Sequence, residues 1–143
     1  MADKSNENIY SHEQRLIGFM DVMQKNTSIE RAVIDHWDYF DEIREILEKD
    51  GKKTALFCSS DTFALDIMKY LRSIGKKVPR DCGLMGFDCI DTLEYVTPGL
   101  ATVINPVEEI GNKAVENIID LIEGKSIEYF QLLEHKAIEN ESL

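Results

Sequence analysis

Residues 54–88, TALFCSSDTFALDIMKYLRSIGKKVPRDCGLMGFD, determine how the rest of the chain is organised. The stretch contains two short apolar runs, at 55–58 and 83–87, and both have the length of a buried strand. A carboxylate stands just after each run, Asp61 after the first and Asp88 after the second. The pattern predicts two strands that each deliver an acidic side chain to the end of the strand.

The segment between the two runs predicts a helix over residues 62–74. Side chains at 59–61 are of the type that caps a helix start, while Gly75 and Pro79 predict its end. A strand, a helix and a strand joined by short turns predict a βαβ unit with parallel strands. Such sheets bind ligands beyond the carboxyl ends of their strands, where Asp61 and Asp88 are expected. The predicted buried face of the helix comprises Phe63, Ile67, Tyr70, Leu71 and Ile74.

The composition predicts one soluble cytoplasmic domain. The 143 residues, 43% of them apolar, suffice for a single core. The net charge of −11 argues against nucleic-acid binding by this chain, which requires a basic surface. No run reaches the length of a membrane span, and the polar residues 1–10, expected to be disordered, do not resemble a signal peptide. The spacing of Cys58, Cys82 and Cys89 matches no metal site, so we expect three reduced thiols and no cofactor.

Two further helices are predicted before this stretch, Ser11–Lys25 and 38–49. Arg15 lies in the first turn of the first helix, where a cation opposes the helix dipole, which suits either a ligand-gripping arginine or a solvated one. Residues 28–34 fit a short edge strand or a loop. Trp37, the single tryptophan, precedes the second helix and fits either a core position or a flat platform for a ligand ring.

The chain after Asp88 predicts a surface segment, a strand at 101–104, an amphipathic helix at 107–123 and a terminal strand within 127–138. The last residues read as a polar tail. The apolar stripe of the helix must be buried somewhere, because soluble monomers rarely expose such a face. We therefore expect the helix either to fold back on its own lobe or to dock on a second copy. The stripe comprises Val107, Ile110, Ala114, Ile118, Leu121 and Ile122.

Several motifs in order resemble the effector-binding domain of the lactose-repressor/galactose-repressor family of bacterial transcription regulators. The motifs are RLIGF at 15–19, TALFCSSDTFAL at 54–65, GLMGFD at 83–88 and TPGLATVINPVEEIGNKAVENIIDLIEGK at 97–125. The resemblance implies an α/β fold: a doubly wound, mostly parallel sheet with helices on both faces, forming one lobe of a periplasmic-binding-protein-like (type I) fold.

The resemblance also implies which residues bind a small polar effector such as a sugar. Arg15 matches the pocket arginine of the family, and Trp37 the aromatic residue that stacks on the ligand. Ser60 and Asp61 stand where the family has an Asn-Asp pair, so the amide that grips ligand hydroxyls is replaced by serine. Asp88 matches the carboxylate that accepts hydrogen bonds from those hydroxyls.

The resemblance covers residues 11–143 and implies mainly the second lobe of such a domain. The DNA-binding domain and most of the first lobe are expected to be absent, and the helix at 107–123 matches one that belongs to the first lobe. A homodimer formed through this lobe is implied as well.

Three classes of function remain open at this stage. The first is a ligand-sensing part of a repressor without catalytic activity, in which DNA is bound only through a domain missing from this chain. The second is a sugar-binding protein of a transport system, which would share the fold. The third is a small α/β enzyme that uses Asp61 and Asp88 as acid and base, although no phosphate loop or nucleophile set accompanies them.

Overall fold

The computed structural model describes residues 11–34, 38–49 and 53–143, which fall into two compact units, 1–54 and 55–143. Residues 1–10, expected to be disordered, and Trp37 lie outside the described residues. Among the described residues, no helix combines the length and apolar character needed to cross a membrane.

The described part of the first unit contains two helices, α1 (Ser11–Lys25) and α2 (Tyr39–Glu48). Residues 28–34 form no strand, so the loop alternative for this segment is correct. Asn26 fastens the start of the loop, because its side chain donates to the carbonyl of Val22 at 2.8 Å. Asp38 occupies the N-cap position of α2, although its side chain makes no capping hydrogen bond.

The second unit is built on a four-stranded sheet in the order β1 (Ala55–Phe57), β2 (Gly83–Asp88), β3 (Ala101–Ile104), β4 (Lys136–Ile138). The first three strands are parallel, and β4 joins β3 antiparallel. The predicted βαβ unit and the mostly parallel sheet are therefore confirmed. Because the three parallel strands point the same way, their carboxyl ends share one edge of the sheet.

Helix α3 (Asp61–Ser73) connects β1 to β2, as predicted from its spacing. The hydroxyl of Ser60 caps its start by accepting a hydrogen bond from the backbone N–H of Phe63 at 3.4 Å. The predicted buried face is rotated: Phe63 is exposed, whereas the small side chain of Ala64 is fully buried. The apolar side chains that α3 buries are Ala64, Ile67, Met68 and Leu71, a set at i, i+3, i+4 and i+7.

A short 3-10 helix (Asp91–Tyr95) follows β2, and α4 (Val107–Ile122) follows β3. No residue of α4 is buried, so the helix does not fold back to bury its stripe. Ile118 is 55% exposed and Ile122 is 80% exposed. The opposite face is polar and carries an ion pair between Lys113 and Glu116 at 2.9 Å.

The carboxyl-terminal segment is not the polar tail that the sequence predicts. Ser142 is fully buried, and its hydroxyl accepts a hydrogen bond from the N–H of Ala101 at 2.7 Å and donates to the carbonyl of Leu84 at 2.6 Å. Its backbone carbonyl also accepts from the N–H of Leu84 at 2.8 Å. The segment thus joins the amino-terminal side of β2 to that of β3. Of the predicted terminal strand, only Lys136–Ile138 forms.

Replacing Ser142 with alanine is expected to lower the free energy of unfolding by about 1–3 kcal/mol, because a buried donor and a buried acceptor lose their shared partner. Urea unfolding followed by circular dichroism measures the change. Ser73→Ala is the matched control, since the Ser73 hydroxyl only donates to Tyr70 on the exposed side of α3. Equal unfolding midpoints for the two variants would contradict the assigned role of Ser142.

Candidate functional site

The candidate site lies at the shared carboxyl edge of the parallel strands. Four polar side chains come from the segments that leave this edge: Ser60 and Asp61 after β1, Asp88 at the end of β2 and Asn105 after β3. The pairing of Asp88 with Ile104 places the ends of β2 and β3 side by side. This arrangement comes from the strand register.

Asp88 has the most unusual backbone of the four. It has a φ of 104° and Cys89 has a φ of 57°, two successive non-glycine residues in conformations that L side chains rarely adopt. Strain of this kind costs on the order of 1–3 kcal/mol per residue and concentrates at functional sites. The side chain of Asp88 is half-buried.

Asn105 stands next to Asp88. Its side-chain nitrogen lies 3.5 Å from Asp88 Oδ1, and its backbone N–H donates to the Asp88 carbonyl at 3.4 Å. The sequence analysis did not identify Asn105. It could have been found by the rule that identified Asp88, because Asn105 is the first residue after the third parallel strand.

Asp61 is the fully buried carboxylate of the group. Its Oδ1 accepts a hydrogen bond from the hydroxyl of Thr102 at 2.6 Å, and its Oδ2 accepts from the backbone N–H of Ile90 at 2.9 Å. Both oxygens are therefore engaged by the protein itself. Thr102, which the sequence analysis also did not identify, reads as an ordinary β-branched strand residue.

The structure brings together three of the five predicted ligand-binding residues, Ser60, Asp61 and Asp88, in the second unit. The oxygen of Ser60 accepts the capping bond of α3, so its hydroxyl proton is available to donate. Arg15 is half-buried on α1 in the first unit. Trp37 lies outside the described residues.

The electrostatics of the site raise the pKa values of its thiols. Burial, the neighbouring Cys82 and the charge of Asp61 raise the pKa of Cys58 to about 12. Burial, followed by the charges of Asp61 and Asp91, also raises the pKa of Cys89, but that side chain is only half-buried. The described cysteines are all free, and Cys58 and Cys82 are buried as expected.

Native alkylation is expected to modify Cys89 at least about tenfold faster than Cys58 or Cys82, because the reactive thiolate must form and be reached. At Cys82, burial both hinders access of the reagent and raises the thiol pKa to about 11. Timed iodoacetamide labelling at pH 8 with peptide mass spectrometry gives the three rates. Labelling of Cys58 as fast as Cys89 would contradict the packing of β1. Labelling in denaturant, where the three rates should converge, is the control.

The same edge offers no described metal site. Over 11–34, 38–49 and 53–143, histidine, cysteine and carboxylate side chains form no group of three that could hold an ion. A carboxylate, an amide and a hydroxyl at this edge can together accept hydrogen bonds from, and donate them to, the hydroxyls of a small polar molecule.

A separate cavity of about 380 Å³ lies between α3 and the 3-10 helix. Two of its lining residues are joined by a hydrogen bond, which the guanidinium of Arg72 donates to the carbonyl of Thr97 at 3.0 Å. The cavity is open, and its lining includes none of the four polar residues at the strand ends. The lining comprises Leu65, Met68, Lys69, Arg72, Tyr95, Val96 and Thr97.

A mostly parallel α/β sheet with polar residues at its carboxyl edge defines a ligand-binding lobe. The match to known families assigns the lobe more closely: residues 2–142 match the periplasmic binding protein-like domain, and the chain belongs to that family. Within it, the relatives are repressors of the lactose-repressor/galactose-repressor family, as the sequence motifs indicated.

The chain is 30% identical over 141 residues to a ribose operon repressor of Haemophilus influenzae, covering 92% of this chain and 42% of that protein. A regulator of Alkaliphilus metalliredigens solved with D-xylulofuranose superposes with a TM-score of 0.75 at 25% identity, covering 91% of this chain and 51% of the regulator. The Escherichia coli transcriptional repressor ascG superposes with a TM-score of 0.75 at 27% identity, covering 91% of this chain and 49% of the repressor. The chain therefore spans about half the length of these relatives or less.

Proposed function

We propose that this chain is the second lobe of an effector-sensing domain of a bacterial transcription repressor, and that it binds a sugar or a similar small polar effector at the carboxyl edge of β1, β2 and β3. The observation that carries the proposal is Asp88, a half-buried carboxylate held in a strained conformation at the end of a central strand. Two relatives support a sugar, one named a ribose operon repressor and one solved with D-xylulofuranose.

Within this proposal, Asp88 accepts hydrogen bonds from ligand hydroxyls, and Ser60 donates one through its free hydroxyl proton. The family has an asparagine at the position of Ser60, so this chain lacks the side-chain amide of the family at that position. Asn105 offers a carboxamide 3.5 Å from Asp88 Oδ1, which is close enough to supply the missing amide to the same ligand. The family resemblance further implies a bidentate donor at Arg15 and a stacking surface at Trp37, and we keep both as proposed ligand contacts.

We propose no catalytic role for the site. The relatives are transcription repressors rather than enzymes. An acid–base pair would need two carboxylates that reach a substrate, whereas both oxygens of Asp61 accept hydrogen bonds inside the protein. The same relatives support the repressor over a transport protein, and we propose a cytoplasmic location because transcription repressors act there.

We further propose that the chain forms a homodimer, with DNA bound only by a domain that these 143 residues do not include. The apolar stripe of α4 is exposed along the helix, with Ile118 at 55% and Ile122 at 80%, and we assign it the contact with a second copy. The cavity between α3 and the 3-10 helix is the alternative contact, since its Tyr95 is 85% exposed and the family resemblance implies dimerisation near these segments.

A titration of the ¹⁵N-labelled chain with D-ribose, D-xylulose and a panel of hexoses tests the binding proposal. Half a cleft binds weakly, so dissociation constants on the order of 1 mM are expected, corresponding to about −4 kcal/mol. Amide shifts should cluster at Ser60, Asp88 and Asn105. No saturable shift with any sugar up to ~50 mM, well above that constant, would contradict the proposal.

A further inference from the structure

We infer that Asp61 is a positioning residue: its buried carboxylate holds the turn after β2 in the conformation that presents Asp88. The inference rests on the proposed role of Asp88 in effector binding, but the claim about the turn can be measured without any ligand. It replaces the expectation that Asp61 contacts the ligand, because its two oxygens already have partners in the protein.

The carboxylate of Asp61 links three elements of the second unit. Asp61 itself begins α3, its Oδ1 is bonded to the Thr102 hydroxyl on β3, and its Oδ2 is bonded to the N–H of Ile90 in the turn. The side chain is 0% exposed, so water does not compete for these bonds. Hydrogen bonds to an ionised, desolvated acceptor are about twice as strong as neutral ones.

The sheet makes room for this carboxylate at Gly86. A Cβ built on Gly86 would overlap Asp61 Oδ1 and come within 3.1 Å of the Asp61 Cα. The position therefore requires glycine because of the close approach, since its φ is not in the left-handed region. Gly83 on the same strand differs, because a Cβ there would meet ordinary contacts of 3.5 Å or more.

The turn needs an external restraint because Asp88 and Cys89 both have positive φ. The bond from Ile90 to Asp61 fixes the first residue after them, and the backbone N–H of Asn105 contacts the Asp88 carbonyl on the other side. Releasing the Ile90 bond lets φ at Asp88 relax toward the ordinary β region, which turns its carboxylate away from Asn105.

The pair Gly86→Ala and Gly83→Ala tests the inference by hydrogen exchange followed by NMR on the whole chain. In Gly86→Ala the displaced carboxylate should release the Ile90 amide, whose exchange should accelerate about tenfold or more, as for the loss of one charge-assisted bond. In Gly83→Ala the Ile90 amide should exchange at the wild-type rate. The Cys58 amide, bonded to the Met85 carbonyl, reports whether the sheet itself has opened.

A second pair separates positioning from simple packing. In Asp61→Asn the amide oxygen can still accept from Ile90 while the amide nitrogen donates to the Thr102 hydroxyl, so protection of Ile90 should be largely restored. In Asp61→Ala both bonds are lost, and the Ile90 amide should exchange as in Gly86→Ala. An Ile90 amide that stays protected in both Gly86→Ala and Asp61→Ala would overturn the inference.

The D-ribose titration then tests whether holding the turn matters for sugar binding, separately from whether Asp61 holds the turn. Loss of sugar shifts in Gly86→Ala but not in Gly83→Ala or Asp61→Asn supports positioning of Asp88. Unchanged sugar affinity in Gly86→Ala, with Ile90 deprotected, would overturn it. If the wild type binds no sugar, the proposed function fails, while the exchange rates of Ile90 still decide whether Asp61 holds the turn.

Discussion

The isolated chain is expected to self-associate at micromolar concentration through α4, and Ile118→Asp is expected to abolish this association. The structure exposes seven large apolar side chains on this helix while its other face is polar. Soluble monomers rarely expose an apolar patch of this kind. The seven are Val107, Ile110, Val115, Ile118, Ile119, Leu121 and Ile122.

The association is driven by the apolar side chains that α4 leaves exposed in the monomer. Burying the exposed part of each of these side chains contributes about 1 kcal/mol, and this gain in both copies opposes the ~4–15 kcal/mol cost of association. A carboxylate at position 118 must be desolvated at the centre of that contact, which costs several kcal/mol and shifts the chain to monomer.

Light scattering and sedimentation at micromolar concentration measure the association. Lys113→Gln is the matched control, because it makes the net charge more negative by the same one unit on the polar face of α4, where Lys113 pairs with Glu116. The prediction would be contradicted if the wild type had the monomer mass of 16.4 kDa and Ile118→Asp were equally soluble and stable. A dimer that survives Ile118→Asp but dissociates in Tyr95→Asp would instead move the contact to the surface between α3 and the 3-10 helix.

Asp88→Ala is expected to abolish the sugar-induced amide shifts while the sheet stays folded. Each hydrogen bond from a ligand hydroxyl to this carboxylate contributes about 1.5–3 kcal/mol, so losing one weakens binding by roughly tenfold or more. A millimolar constant would then move beyond the concentrations that can be reached. The NMR titration with D-ribose measures the loss directly.

Asp88→Asn refines this test, because asparagine tolerates a positive φ better than alanine and preserves the shape of the side chain. It replaces an acceptor oxygen with a donor, so sugar binding should still weaken about tenfold. Asp66→Ala removes an exposed carboxylate from α3 and serves as the control for net charge. Wild-type sugar affinity in Asp88→Asn and Asp88→Ala would show that Asp88 does not contact the ligand.

Local patterns in the sequence predicted most of the elements and the class of fold. Helix spacing and end signals predicted α1 with the bounds observed and α3 within a residue of its observed bounds, because periodicity and capping are local properties of the chain. The order of strand, helix and strand predicted the parallel pairing of β1 with β2. The strand-end rule then identified Asp88, and the ordered motifs indicated the family.

The contacts that each polar group makes could not be predicted from such patterns, because they depend on tertiary packing. Asp61 and Asp88 are equivalent in sequence, each an aspartate after an apolar run, yet Asp61 is enclosed by Thr102 and Ile90 while Asp88 remains half-buried at the strand end. Ser142 belongs to a segment that is polar in sequence. Its side chain is nevertheless buried, because its hydroxyl bonds to the backbone of both β2 and β3. These contacts join residues 29 to 58 positions apart, so they depend on strand register and packing, which local sequence patterns do not specify.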